Sequence, residues 1–551
     1  MKKGGILIKL RVIHWIIFCI FSGVFLTSCE NNPNTIITPA NPAIATELAT
    51  NTVTLTPFAA SLPLPSRTPS LSIESSSPTI TLTSASTVRT DRTPTVKNPA
   101  TATLAPLSVK VYESAVTFKA YPFEQALRPR LDPNNHFTFN ALDQKAYETA
   151  LGTQPPTIKS VRSIILENEY IQLTFLPELG GRLFQIVYKP TGQNLFYNNR
   201  VLKPTSWGPA NQGGWLAVGG MEWALPVNEH GYEWGTPWQT SISQDVSGAT
   251  LTLVDSLAND RVRAKIQVTL PAHAAYIIVH PRIENPTATS TKIQFWINSQ
   301  MTLGASKNVS PNTEFVLPAN SVWVHSTGDQ FIPARQIPPV DAQAAAEPMS
   351  WPLVANRDMS RYSSWDDYLG VFATNPSAAF VGAYNHDTDL GLARVFPQQQ
   401  VPGVKLFAFG PQFCCRDQFS DDGSDYFELW GGLPRTFFAQ DAVTLAPGEV
   451  REWNEYWLPF ARTGGLSYAS RDAVLFVKNE SGNIRVGAFS PVPFNGTLVL
   501  FLDGKEINRW VVTLTPNAPF TTTIASNSGS VKLQLLNSSG GIVATTDSST
   551  K

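Results

Sequence analysis

The sequence predicts an all-β protein built from antiparallel sheets, and three observations support this. From Val262 to Leu270, apolar residues alternate with polar ones, which is the period of a strand that buries one face. Proline and glycine separate the runs of this kind, as expected for short strands joined by turns. Only Asn140 to Leu151 resembles a helix, and its apolar positions are sparse. Packed antiparallel sheets, arranged as sandwiches, follow from this pattern. Further predicted strands are Tyr170 to Phe175, Tyr276 to Ile283, Ile293 to Ile297, Val404 to Phe409, Tyr426 to Leu429 and Glu452 to Trp457.

The first 29 residues resemble a bacterial lipoprotein signal peptide. Four basic residues precede an apolar run from Val12 to Phe25 that is short for a membrane span. The segment Leu26-Thr27-Ser28-Cys29 then resembles a lipobox, which implies cleavage before Cys29 and a diacylglyceryl thioether on its sulfur. We therefore expect an extracytoplasmic protein, lipid-anchored to the outer face of a bacterial membrane. The alternative is a single anchoring helix that ends at Cys29.

Residues 30–108 are rich in threonine, serine, proline and alanine, with few aromatic side chains. Such a composition cannot bury enough apolar surface to offset the entropy lost on ordering. We expect a disordered, extended tether that holds the following domain away from the bilayer.

The remaining chain, about 440 residues, is longer than one hydrophobic core usually serves, so two domains are expected. We place a large domain at 109–465 and a small β sandwich at 466–551, because strands become shorter and more regular after Gly464-Gly465. Asp503-Gly504 is typical of a hairpin turn between two of these strands. For the small domain we favour a role as a spacer or an accessory binding domain.

Charge and cysteine content exclude some classes of partner. The formal net charge is −1 and no basic run occurs after the tether, which argues against a nucleic-acid partner. Cys19 and Cys29 belong to the signal peptide, which leaves the neighbours Cys414 and Cys415. Their α-carbons are closer than an unstrained disulfide tolerates, so a reduced or strained vicinal pair is expected rather than a structural staple. The spacings typical of a metal site are missing from the sequence.

Five of the fourteen tryptophans fall between residues 207 and 238: Trp207, Trp215, Trp223, Trp234 and Trp238. Polar and acidic residues lie between them: Glu222, Asn228, Glu229, His230 and Glu233. Flat apolar rings beside carboxylates suit a sugar, which has an apolar C–H face and a rim of hydroxyls. The alternative is that the rings form the core of a large β domain, since tryptophan is usually buried.

Several motifs in residues 109–465 resemble galactose-mutarotase-like domains of the aldose 1-epimerase superfamily. The segments that carry the resemblance are Glu169 to Leu173, Leu176 to Leu183, Tyr188 to Gly192, Glu284 to Thr287, Phe295 to Asn298, Val324 to Asp329 and Asp421 to Gly432. Within the superfamily, Gly219-Gly220-Met221-Glu222-Trp223 is most similar to a motif of an uncharacterised bacterial family. The resemblance implies an antiparallel supersandwich with a sugar site on a concave sheet face.

The resemblance also implies roles for individual residues. The base that removes the anomeric hydroxyl proton is a glutamate on a late strand, and Glu428 occupies the similar position. The acid is a histidine on the strand after an Asn-x-Thr turn, where this sequence has Asn298. Asparagine cannot deliver a proton near neutral pH, so the usual epimerase chemistry lacks its acid. His230, which loosely resembles the sugar-binding histidine, and His325 are substitute candidates; the alternative for each is a hydrogen-bonded rim or core residue.

Other roles are predicted from the residue types. Glu222 and Glu428 could form the carboxylate pair of a glycoside hydrolase, or Glu222 could accept hydrogen bonds from sugar hydroxyls. Arg182 could bind a carboxylate or a sugar hydroxyl, or tie two strands together. Near Gly423 the hard oxygens of Asp421, Asp422 and Asp425 could hold calcium, although a solvated acidic turn is favoured because the full EF-hand spacing is missing.

These observations predict a membrane-anchored, extracytoplasmic carbohydrate-binding or carbohydrate-active protein. The candidate catalytic residues are Glu428, Glu222 and His230, and the candidate sugar-binding residues are Arg182, Trp215, Trp223, Asn298, His325 and Trp430. We expect them to converge on one solvent-open hollow. The alternatives are a glycoside hydrolase-like enzyme using Glu222 and Glu428, and a non-catalytic structural lipoprotein of the cell surface.

Overall fold

The computed structural model of the protein describes residues 108–205, 214–338, 346–374, 376–480 and 482–547. The signal peptide, Cys29, nearly all of the predicted tether and Trp207 lie outside the described residues. From residue 108 onward, the described chain belongs to one compact unit. No helix among the described residues is long and apolar enough to cross a membrane.

Strands are the main regular secondary structure of the described chain, and they are numbered here in chain order. The first thirteen are β1 (Lys110–Ala120), β2 (Leu127–Asp132), β3 (Phe137–Leu142), β4 (Thr157–Glu167), β5 (Ile171–Leu176), β6 (Arg182–Tyr188), β7 (Gln193–Asn194), β8 (Val201–Leu202), β9 (Pro204–Thr205), β10 (Trp215–Leu216), β11 (Gly220–Ala224), β12 (Gln239–Asp245) and β13 (Gly248–Val254). The next twelve are β14 (Arg263–Pro271), β15 (Ile277–Glu284), β16 (Thr291–Ile293), β17 (Trp296–Met301), β18 (Thr313–Val316), β19 (Ser321–Thr327), β20 (Met349–Ser350), β21 (Leu353–Val354), β22 (Arg357–Asp358), β23 (Leu369–Phe372), β24 (Phe380–Asn385) and β25 (Leu390–Val395). The last thirteen are β26 (Gly403–Ala408), β27 (Phe427–Gly432), β28 (Val443–Leu445), β29 (Val450–Glu452), β30 (Glu455–Ala461), β31 (Tyr468–Ala469), β32 (Val474–Glu480), β33 (Asn483–Phe489), β34 (Phe494–Leu502), β35 (Lys505–Leu514), β36 (Phe520–Ala525), β37 (Val531–Asn537) and β38 (Ile542–Asp547).

One α-helix, α1 (Gln144–Leu151), occurs in the described chain. Asp143 caps it, because its side chain accepts a hydrogen bond from the Ala146 N–H. The predicted helical segment therefore starts too early: residues 140–142 belong to β3, where Phe137, Phe139 and Ala141 are buried in alternation. Short 3₁₀ turns occur at Glu124–Ala126, Ala334–Gln336, Tyr362–Ser364, Arg416–Gln418 and Ala439–Asp441.

Two large sheets form the main body, and the predicted fold class is confirmed. The first sheet has thirteen strands in the order β20-β19-β23-β26-β27-β17-β11-β6-β5-β4-β1-β8, with β7 beside β6. The second has nine, β12-β13-β14-β15-β30-β25-β24-β18, with β29 beside β15. Apart from the parallel pair β1 and β8, the strand pairs of both sheets are antiparallel. The result is a supersandwich.

The core lies between these two sheets. One continuous cluster combines Leu183, Met221, Ile297, Val371, Leu406 and Leu429 of the first sheet with Leu253, Ile266, Val279, Ala383, Leu392 and Trp457 of the second. Strand β14 shows the predicted alternation, because Ala264, Ile266, Val268 and Leu270 are buried on one face. The period of two thus decides which face of each strand packs inward.

A buried ion pair between two neighbouring strands of the second sheet lies within this core. Arg394 of β25 donates from Nε and Nη2 to the two carboxylate oxygens of Glu455 on β30, both at 2.7 Å. Both side chains are 0% exposed. Gly431 of the first sheet leaves room for the guanidinium, since a Cβ there would lie 2.0 Å from Arg394 Cζ.

The predicted C-terminal sandwich is confirmed. Sheets β31-β32-β33-β36 and β35-β34-β37-β38 enclose a core of small and medium apolar side chains. Asp503-Gly504 joins β34 to β35 with positive φ at both residues, 49° and 79°, as the predicted hairpin turn requires. Tyr188 of the first sheet donates a hydrogen bond to the Pro516 carbonyl at 2.6 Å, so this sandwich packs against the main body. The division at 465/466 stays a prediction.

Candidate functional site

The candidate site lies on the face of the first sheet that points away from the second. Met221, Ile297, Leu406 and Leu429 pack into the core between the sheets, so their sequence neighbours lie on the opposite face. That face, called the polar face below, carries Glu222 of β11, Asn298 and Gln300 of β17, Glu428 and Trp430 of β27, and Lys405 of β26. Strands far apart in the chain thus bring these residues into adjacent positions.

Asn298 links the two candidate carboxylates. Its Nδ2 donates to Glu222 Oε1 at 2.9 Å and to Glu428 Oε1 at 3.1 Å. Because both bonds use one nitrogen, the two Oε1 atoms lie within about 6 Å of each other. Trp430 Nε1 donates to Glu428 Oε2 at 2.9 Å, and Gln300 lies 3.4 Å from Glu428 Oε1. The structure therefore brings Glu222, Asn298, Glu428 and Trp430 together.

Glu222 is held as a buried carboxylate. Arg182 Nη2 donates to its Oε2 at 2.8 Å, and His230 Nδ1 lies 2.7 Å from its Oε1. Burial alone would raise the pKa of Glu222, but the charge of Arg182 and then that of His230 outweigh it and lower this pKa to about 2. Glu222 is therefore ionised at neutral pH and cannot be the acid of the predicted glycoside hydrolase pair. Arg182 thus binds a carboxylate and also ties β6 to β11, and its role in sugar binding stays a prediction.

Glu222, Asn298 and Glu428 are together called the carboxylate cluster below. Aromatic rings border it. Trp215 stacks on His230 with ring centroids 3.6 Å apart and an interplanar angle of 12°. His230 also lies 5.5 Å from the ring of Trp430. The loop that carries His230 thus covers the end of the polar face where Glu222 lies, and the stacked indole fixes the orientation of the imidazole.

His325 lies at the other end of the cluster, on β19. Its Nε2 is 3.3 Å from Glu229 Oε1. Burial, and then the charge of Lys405, lower the pKa of His325, while Glu229 opposes the shift. His325 therefore favours the neutral form at neutral pH. Its side chain is 20% exposed and that of Glu229 is 15% exposed, which makes this pair the more accessible edge of the cluster.

The predicted solvent-open hollow is wrong as stated, because the carboxylates converge but are buried. Glu222 and Glu428 are each 3% exposed. Trp223 was predicted to bind the sugar, but it lies in the core. It follows Glu222 directly in a strand, so it points to the opposite face. There its Nε1 donates to the Gly181 carbonyl at 3.0 Å. Trp234 and Trp238 are core residues too. Among the described indoles of the tryptophan-rich segment, only Trp215 borders the carboxylate cluster.

The acidic turn near Gly423 is neutralised by basic side chains. Asp421 accepts from Lys119 Nζ at 2.6 Å and from Lys203 Nζ at 3.2 Å, and Asp425 accepts from Arg416 Nε at 2.7 Å. The Asp422 carboxylate accepts from the Ser424 N–H at 3.0 Å. In the part of the chain that the structure describes, no group of three or more His, Cys, Asp or Glu is arranged to hold a metal ion. The calcium site stays a prediction.

Cys414 and Cys415 are bonded to each other through their sulfurs, with α-carbons 3.8 Å apart. The bond joins sequence neighbours and closes no long loop, so it does not tie distant strands together. A separate cleft of about 450 Å³ lies where the C-terminal sandwich meets the main body, and Arg462, Arg485 and Thr521 line it.

Glu233 of the tryptophan-rich segment predicts a measurable pH dependence. Burial, then the charge of Asp255, raise its pKa to about 8, although Arg261 opposes this. A carboxyl whose pKa is raised on folding stabilises the fold fully below its unfolded pKa, and this contribution is lost as the pH rises through 8. In the unaltered chain, the free energy of unfolding should fall by about 5 kcal/mol between about pH 4.5 and 8, and Glu233→Gln should remove this fall. Urea unfolding across this range checks it. The exposed control Glu506→Gln should leave the slope unchanged, and an unaltered slope in Glu233→Gln would contradict the assignment.

Lys405, Gln300 and Glu229 lie around the carboxylate cluster, but the sequence did not single out Lys405 or Gln300. Lys405 is 4% exposed and lies opposite Trp430 in the strand register. Lys405 alternates with the apolar Val404 and Leu406, which indicates only that it faces away from the core. The same signal is expected of any solvent-facing lysine, so the sequence did not distinguish it.

Comparison with known proteins identifies a family and several similar solved structures. Residues 144–460 match a family described as a domain of unknown function, DUF5107. A TPR-domain containing protein from Parabacteroides distasonis is structurally similar, with 20% identity and a TM-score of 0.50 over 64% of this chain and 55% of that one. This chain thus spans about half the length of that protein.

Galactose mutarotase-like proteins are also among the similar solved structures. One from Clostridium acetobutylicum has 10% identity and a TM-score of 0.36, over 55% of this chain and 95% of that one. Another from Lactobacillus casei has 10% identity and a TM-score of 0.33, over 54% of this chain and 99% of that one. At these identities the similarity concerns the fold alone. Since the family match covers more than half of its residues, this chain belongs to the DUF5107 family.

Proposed function

We propose that this chain is a carbohydrate-binding protein whose sugar lies against the polar face. The observation that carries the proposal is the shared Asn298 Nδ2, which links Glu222 to Glu428 beside the Trp430 indole. Carboxylates and amides suit the hydroxyls of a sugar, and aromatic rings suit its C–H face. The aldose 1-epimerase-like motifs favour the same class of ligand.

Several polar atoms of this face would gain partners from such a ligand. Asn298 Oδ1, Gln300 Oε1 and Arg182 Nε are buried and have no hydrogen-bond partner among the described residues. An unsatisfied buried polar group costs about 1–3 kcal/mol. A hydroxylated ligand can both donate to the amide oxygens and accept from the guanidinium. It would reach them past His325 and Glu229, the more exposed edge of the cluster.

Glycoside hydrolysis by Glu222 and Glu428 receives less support. A separation within about 6 Å is near that of retaining enzymes. However, the Glu222 carboxylate pairs with the Arg182 guanidinium at 2.8 Å, which against the effect of burial lowers the pKa of Glu222 to about 2 and prevents it from serving as the acid of such an enzyme. We therefore assign Glu222 an orienting role and Glu428 the contact with the sugar.

The lipobox-like segment supports a second part of the proposal. Lipidation of Cys29 would anchor the mature chain to the outer face of a membrane, and residues 30–108 would serve as its tether. The sugar site would then face the extracytoplasmic space.

Titration of the full chain with glycans tests the proposed function. Binding should change the intrinsic tryptophan fluorescence, because Trp430 and Trp215 border the carboxylate cluster. Glu428→Gln should weaken the affinity about 10- to 100-fold, the effect of losing a hydrogen bond to a charged group. The matched control Glu452→Gln, on the surface of the second sheet, should bind normally.

A broad glycan array in which no sugar binds the full chain would contradict the proposal. The protein would then fit the alternative of a structural lipoprotein whose polar face is packed and has no ligand.

A further inference from the structure

Lys405 is a buried cation, and the contacts among Glu222, Asn298 and Glu428 do not explain why a cation is buried there. It lies in β26 between Val404 and Leu406, which pack into the core between the sheets, while Lys405 lies on the polar face. The side chain is 4% exposed. Burying an ammonium group is costly unless other groups compensate, so its surroundings require an explanation.

Three aromatic rings surround this ammonium group. Lys405 Nζ lies 4.6 Å from the ring centre of Phe437, 4.7 Å from that of Trp430 and 5.3 Å from that of Phe407. Cation–π attraction to these rings stabilises the charged form. Nζ makes no hydrogen bond and no ion pair with any described residue, so its N–H donors are left for a ligand or water.

The place of Lys405 in the sheet brings it close to the candidate base. Strand β26 pairs with β27, where Lys405 is opposite Trp430 and Phe407 is opposite Glu428. Asn298 lies on the far side of Trp430, in β17. Lys405 and Glu428 thus lie on the same face of adjacent strands, at diagonal positions two residue pairs apart in the register, so one ligand on this face would lie beside both.

We propose that Lys405 donates the proton that opens a sugar ring at this site, with Glu428 as the base. This inference rests on the proposed carbohydrate-binding function and adds a reaction to it. Glu428 takes the proton of the anomeric hydroxyl, the C1–O1 bond becomes a carbonyl, and the C1–O5 bond breaks. O5 keeps that electron pair and takes a proton from the Lys405 ammonium. Rotation about C1–C2 and the reverse transfers close the other anomer, so both residues regain their starting states.

The charges around Lys405 fit this role. Burial lowers the pKa of the Lys405 ammonium, while Glu428 on β27 and Glu229 on the His230 loop oppose the shift. His325 on β19, which favours its neutral form, adds no full charge beside it. A proton donor works best when its pKa approaches the working pH, which a fully exposed lysine does not achieve.

Lys405→Arg separates proton donation from charge. Arginine keeps a cation among the three rings but does not give up its proton at neutral pH. We expect the full chain to speed the interconversion of α and β anomers of at least one of D-galactose, D-glucose or D-xylose, followed by polarimetry. In Lys405→Arg and Lys405→Met the rate should fall about 10²- to 10⁴-fold. Sugar affinity of the arginine variant, measured by fluorescence, should stay within a few-fold.

Lys532→Arg is the matched control, because Lys532 also lies over a ring, Phe501, but in the C-terminal sandwich. Its rate should equal that of the unaltered chain. If the unaltered chain binds a sugar without interconverting its anomers, or if Lys405→Arg keeps the full rate, the proposed role of Lys405 is overturned while carbohydrate binding stands. If the unaltered chain binds no sugar, the proposed function fails, and the role of Lys405 fails with it.

Discussion

Replacing Arg394 by methionine is expected to lower the free energy of unfolding by about 3–5 kcal/mol, because it leaves the Glu455 carboxylate buried and unpaired. Both side chains are 0% exposed, and Arg394 supplies two hydrogen bonds of 2.7 Å to Glu455. Trp453 Nε1 donates a further one at 2.9 Å, which cannot replace a lost positive charge. The effect should extend to the site, since Arg394 fills the space that Gly431 of β27 leaves.

Urea unfolding followed by tryptophan fluorescence measures this loss. Arg282→Met is the matched control, because Arg282 pairs with Glu452 on the surface and such pairs contribute at most about 1 kcal/mol. The double variant Arg394→Met with Glu455→Leu should recover part of the loss, since it removes the stranded charge. Equal small losses in Arg394→Met and Arg282→Met would show that the pair does not stabilise the core.

Replacing Arg182 by methionine should also cost about 3–5 kcal/mol, and should change the response to acid. The charge of Arg182 is the largest effect that lowers the pKa of Glu222, to about 2, against the opposing effect of burial. A carboxyl whose pKa is lowered on folding stabilises the fold above its unfolded pKa and loses this contribution as the pH falls through the folded value. Between about pH 5 and 2, the free energy of unfolding of the unaltered chain should therefore fall. In Arg182→Met it should fall less, because the contribution that depends on Arg182 is already gone.

Unfolding curves of both proteins across this pH range test the prediction. Arg335→Met is the control, since Arg335 pairs with Glu347 on the surface. It should keep the acid response of the unaltered chain. An unchanged acid response in Arg182→Met would mean that Glu222 does not depend on Arg182 for its charge.

Local pattern was enough to predict much of the fold. The alternation in β14 and the Asp503-Gly504 turn depend on neighbours in sequence, and both appear as predicted. The predicted helix began too early, and local pattern could have corrected this too. Phe137 and Phe139 already alternate with polar residues, which indicates a strand. Trp223 is similar, because the period of two places it on the face opposite Glu222.

The site itself could not be derived from local pattern. Glu222 and Glu428 lie 76 and 130 residues from Asn298, and they meet only because β17 lies between β11 and β27 in the sheet. Resemblance to known motifs suggested two of these positions. Lys405 was missed for a different reason: its burial depends on rings from other strands and from the segment after β27, which no alternation reveals.

A crystal structure of the full chain soaked with mixed oligosaccharides tests the central claim most directly. We predict a sugar ring on the polar face, with hydroxyl or ring oxygens within hydrogen-bond distance of Glu428 and Lys405 Nζ. Sugar bound only in the cleft lined by Arg462, Arg485 and Thr521, with the polar face still packed, would contradict it.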